Sequence, residues 1–98
     1  MTWQVKIVEK GRYGQIEYVE DGQICRCDWE LGGGDTLAIL LVPAPDDWNA
    51  NYPWAKGRRQ EVLNRVVSEV RRQRAPSASI EWDEARNCIY LKERRRRE

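Results

Sequence analysis

Ninety-eight residues, 41% of them hydrophobic, are enough for one packed domain and too few for two. The chain is 34% charged, above the roughly 25% of ordinary globular proteins, and no apolar run approaches the ~18 residues of a membrane span. It contains no histidine, which removes Ser-His-Asp and Cys-His nucleophile arrangements, histidine general bases and imidazole metal sites together.

The net charge of +1 conceals an imbalance. Residues 1–54 carry four basic and nine acidic side chains, whereas residues 55–98 carry thirteen basic and seven acidic. Such halves either attract each other in the fold or leave a basic surface for a polyanion. Three cysteines, an odd number, suit a reducing compartment better than a disulfide framework, and no charged start leads into an apolar stretch. The expected location is the cytoplasm.

Taken in chain order, Trp3, Val5 and Ile7 alternate with Gln4 and Lys6, the period of a strand. The alternation breaks at residues 10–13 and resumes over 15–20. Asp21-Gly22 follows, a pair suited to the positive φ angles of a two-residue hairpin. Residues 23–31 alternate again. A two-residue turn sets Tyr18 opposite Cys25, Ile16 opposite Cys27 and Glu17 opposite Arg26, and a loop over 10–13 sets Val5 opposite Tyr18. A three-residue Gly32–Gly34 loop would set Trp29, Cys27 and Cys25 opposite Leu37, Ile39 and Leu41. That register predicts a core face holding Leu37, Ile39 and Leu41, and a second apolar patch of Val19, Ile24, Ala38, Leu40 and Val42 on the reverse side.

Pro43 and Pro45 end the fourth strand. Asp46 suits the cap of a short helical turn through Trp48, and Pro53 suits the first turn of a longer helix. From about residue 55 the spacing is helical, with Ala55, Val62, Leu63, Val66, Val67 and Val70 on one face and Arg58, Arg65 and Arg72 on the other. Pro76 closes it. A last hairpin follows around residues 83–87, with Ile80 and Trp82 set against Tyr90 and Cys88 and with Asn87 as a left-handed turn residue. The chain ends in a basic tail, 94–98, expected to be frayed. The predicted architecture is α+β: a four-stranded antiparallel meander, one amphipathic helix packed across the sheet and a C-terminal β-hairpin, forming a single domain over residues 1–93.

Little in this pattern carries chemistry. Cys25, Cys27 and Cys88 lack the paired two-residue spacing of a zinc site, and the first two fall on a core face. Gly32-Gly33-Gly34-Asp35 precedes no helix, so it resembles a hairpin turn more than a phosphate loop. The carboxylate pairs Asp46–Asp47 and Asp83–Glu84 sit at turns, where acids cap and close. No catalytic residue, cofactor or metal is therefore expected.

Two surfaces remain. The second apolar patch (Leu40, Val42, Ile24, Val19) and the aromatic loop with Trp48, Tyr52 and Trp54 predict a non-enzymatic module that binds a protein partner or its own copy as a homodimer. The alternative is a nucleic-acid-binding accessory protein using Arg58, Arg65, Arg72 and the tail residues Arg94, Arg95, Arg96 and Arg97.

Overall fold

A computed structural model of the chain describes residues 2–93; the basic tail, with Arg94 to Arg97, lies outside the described residues. Six strands, β1 (Trp3–Glu9), β2 (Tyr13–Glu20), β3 (Gln23–Leu31), β4 (Thr36–Leu41), β5 (Ser79–Asp83) and β6 (Cys88–Lys92), form one antiparallel sheet in the order β1-β2-β3-β4-β6-β5. Between β4 and β5 come a short helix, α1 (Pro45–Asn51), a single 3₁₀ turn (Pro53–Ala55) and a long helix, α2 (Arg59–Arg74). No helix among the described residues is long and apolar enough to cross a membrane.

The first two hairpins follow the alternation. Asp21 and Gly22 both take positive φ, 48° and 82°, and Tyr18 pairs with Cys25, Ile16 with Cys27 and Glu17 with Arg26. Val5 pairs with Tyr18 and Ile7 with Ile16. Gly14 faces Trp29 across the β2–β3 ladder, and a Cβ there would fall 2.0 Å from the Val8 carbonyl oxygen. The missing side chain lets the Trp29 indole lie over β2 and donate to that carbonyl at 3.2 Å.

The fourth strand departs from expectation. Leu31 pairs with Ala38 and Trp29 with Leu40, so Leu40 and Val42 enter the core (0% and 8% exposed) while Leu41, 39% exposed, faces the reverse side with Ile39. The expected core residues Ile39 and Leu41 and the expected patch members Ala38, Leu40 and Val42 thus exchange faces. The connection is longer than three residues, Thr36 N–H donating to Gly33 O, and an irregularity between Thr36 and Ala38 leaves Leu37 at the sheet's end. Because residues 37–42 are apolar on both faces, alternation could not choose between the two registers. Pairing with β6 does so, setting Leu40 beside Ile89 and Ala38 beside Leu91.

The last hairpin also shifts by one. Ile80 pairs with Leu91 and Trp82 with Ile89, not with Tyr90 and Cys88. Asn87 is left-handed at φ 52°, as its turn position requires, but the loop is one residue shorter than residues 83–87. The shift buries Ile89 and Leu91 and turns Tyr90 and Cys88 outward.

Helix α2 buries Val62, Leu63, Val66, Val67 and Val70 against the sheet's inner face, the stripe its spacing predicts. It begins at Arg59 and not near Pro53, because Gly57 at φ +78° interrupts the turn that Pro53 starts. Asp46 does not cap α1; Ala44 occupies that position, and Asp46 and Asp47 lie in the first turn, where carboxylates favour the helix dipole.

Candidate interaction surface

The aromatic loop is a structural corner. Trp48 is 1% exposed, and its indole N–H donates to Ala55 O at 2.9 Å. Its ring meets that of Tyr52 at 5.0 Å. Beyond its last pair with β4, at Asp28, strand β3 has no neighbour on that side. The Tyr52 hydroxyl fills the gap, accepting from Arg26 N–H (3.1 Å) and donating to Arg26 O (3.2 Å). Trp54 is half-buried and packs against the core. Of the expected partner-binding residues, then, Trp48, Leu40 and Val42 are interior. Tyr52 and Trp54 serve the crossover, and Ile24 and Val19 lie on the reverse face.

Arg58, Arg65 and Arg72, at the start of α2 and along it, are spent on carboxylates. Glu20 is 4% exposed, yet alternation places it on the inner side with Ile16 and Tyr18, a signal the sequence reading passed over. Arg58 grips it with two donors (2.8 and 2.9 Å), Arg65 donates at 3.1 Å, and Tyr18 O–H donates at 2.5 Å. The Arg58 hydrogen bonds, followed by that of Tyr18, hold the Glu20 carboxyl down at about 2. Arg65 also lies 5.3 Å from the centre of the Trp3 ring, which stacks on Tyr18. Arg58 and Arg65 share Glu61 as well, and Arg72 pairs with Glu69. These three arginines of the nucleic-acid alternative hold the helix to the sheet or neutralise its exposed face.

Cys25 and Cys27 face inward as expected. Burial pushes the Cys25 and Cys27 thiols up to about 12, so they remain protonated and unreactive. Cys88 lies half-buried on the reverse face, its thiol 3.3 Å from Arg86 O. A thiol reagent is therefore expected to modify one cysteine per native chain, Cys88, and all three after unfolding. Labelling of Cys25 or Cys27 before unfolding, read by peptide mass, would contradict the packing. Among the described residues no three histidine, cysteine or acidic side chains are placed to hold a metal ion.

What the described residues leave open is the reverse side of the sheet. The C-terminal hairpin extends the sheet edgewise and does not cover it, and both helices sit on the other face. Ile39 and Leu41 run along its middle, beside Tyr90, with Tyr13 (59% exposed) and Ile24 (40%) on neighbouring strands. Asp28 and Glu30 flank this stripe on β3, Glu81 and Asp83 on β5. Lys92 reaches Glu81 at 2.8 Å, and the Tyr90 hydroxyl donates to Asp83 at 3.2 Å. Among the described residues Asp28 meets only the Gln15 amide, at 3.5 Å. Between Tyr13 and Leu41 lies a shallow groove of about 340 Å³, lined also by Lys10, Gln15, Asp28 and Glu30.

Comparison with protein families, curated proteins and solved structures finds no match to this chain.

Proposed function

We propose that this chain is a small non-enzymatic protein-interaction module that docks through the reverse face of its sheet. The supporting observation is a sheet face that no described helix or hairpin covers, its apolar stripe (Ile39, Leu41, Tyr13, Tyr90) bordered by Asp28 and Glu30, with Lys10 the one cation among the described residues of the groove. The acidic border argues for a partner presenting an apolar segment flanked by lysine or arginine. A second copy would bring the same carboxylates against each other, and like charges at a desolvated interface oppose association. Nucleic acid is disfavoured on this face for the same reason, and Arg58, Arg65 and Arg72 on the other face are already paired.

The test compares native chain with Leu41→Lys, a change at an exposed position that leaves the inner core untouched. Immobilised on beads and offered nuclease-treated cell extract, the native chain is expected to retain a basic protein that the variant loses by at least tenfold. That protein should also elute as salt rises. Equal retention by Leu41→Lys would refute the reading, as would capture that vanishes with nuclease. A homodimer in sedimentation that Leu41→Lys dissolves would replace the foreign partner with the chain itself.

A further inference from the structure

A second concavity lies on the opposite side of the sheet, where the helix stops before the strands do. Pro76 lacks the N–H a continuing helix needs, and α2 ends at Arg74, while the β3–β4 hairpin runs on beyond it. The helix end and the strands of that hairpin meet there around a concavity. The result is an apolar cleft of about 280 Å³. Ile7, Ile16 and Trp29 floor it, Val70 and Ala75 of the helix end form a wall, and Leu31 and Leu37 form its lip. Both lip leucines are wet, 46% and 40% exposed.

We infer that this cleft is a binding site for a small uncharged apolar molecule, a short aliphatic chain or a single aromatic ring. Its volume is nearly twice the roughly 150 Å³ of a dry engineered cavity that takes up benzene, and close to the lower bound, about 300 Å³, of small-molecule sites. That is too small for a helix or a strand and right for one short chain. Among the described residues the only charges lining it, Arg74 and Glu9, form an ion pair with each other at the rim. Their charges cancel, so the site favours neither a carboxylate nor an ammonium headgroup. An occupant would take Leu31, Leu37 and the exposed flank of Trp29 out of water, where the described residues leave them open. This proposal is independent of the reverse-face reading, since the two surfaces lie on opposite sides of the sheet.

The experiment titrates the full chain with linear alcohols from butanol to octanol, followed by amide and indole NMR shifts. Affinity is expected to rise about three- to fourfold per methylene and then level off as the cleft fills. Shifts should centre on Leu31, Leu37 and the Trp29 indole. Ala75→Leu places bulk in the cleft from a half-exposed position and should weaken hexanol at least fivefold. Shifts scattered over the surface, no rise with chain length, or full hexanol binding by a folded Ala75→Leu chain would overturn the site. Hexanoate or hexylamine binding tenfold tighter than hexanol would overturn the neutral ligand class. A dimer forming with concentration and excluding hexanol would give the cleft to a second copy.

Discussion

Replacing Trp48 with alanine is expected to lower the free energy of unfolding by about 3–5 kcal/mol, the cost of emptying a large buried aromatic site. Trp48 is among the largest fully buried side chains, and it belongs to the same core cluster as Val62, Leu63 and Cys25. The loss leaves the Ala55 carbonyl without its indole donor and removes the ring against which Tyr52 leans. Since small domains are stable by only about 5–15 kcal/mol, the midpoint of thermal unfolding should fall by roughly 12 °C or more. Trp54→Ala, at a half-buried position, should cost on the order of 1–2 kcal/mol. The check is urea unfolding of both variants beside the native chain. A Trp48→Ala protein as stable as the native one would mean that the residue belongs to a binding surface and not to the corner.

The second large effect concerns Glu20. Glu20→Gln is expected to cost about 3 kcal/mol at neutral pH, the lower end of what breaking a buried ion pair costs, because Arg58 and Arg65 keep partial access to water and to Glu61. The acid dependence follows from the same contacts. Folding lowers the Glu20 carboxyl from an ordinary 4.5 to about 2, so the unfolded chain takes up its proton first as pH falls. The stabilisation is complete above about 4.5 and is lost progressively towards 2. Stability curves of native chain and Glu20→Gln should therefore stand apart at pH 7 and converge between those two values. Curves that run parallel down to pH 2.5 would show that Glu20 is not held as a buried anion.

Both effects depend on tertiary contacts that local pattern reaches unequally. The inward set of β2 and β3 could be read in advance because Ile16, Tyr18, Cys25 and Cys27 alternate with polar residues, and Asp21-Gly22 allows one turn geometry. The same parity points to Glu20, but nothing in the local sequence says that an acid at an inward position will meet two arginines 38 and 45 residues away. The open side of the sheet was foreseen in kind and partly mistaken in membership: Val19 and Ile24 belong to it, whereas Leu40 and Val42 had to yield to Ile39 and Leu41. The apolar cleft had no local signature, since it exists only because a helix and a hairpin of unequal reach meet over the same strands.

Sequence alone determined the strand and helix identities, the first two hairpin registers, the valine stripe of α2 and the absence of histidine chemistry. Each follows from periodicity, from turn residues with special φ or from composition, all properties of a few neighbouring residues. Tertiary structure decided which face β4 turns inward, where the last hairpin joins the sheet and which arginines are already neutralised. Those outcomes depend on strand partners and charges far apart in the chain, and a strand apolar on both sides takes its orientation from whichever neighbour packs best against it.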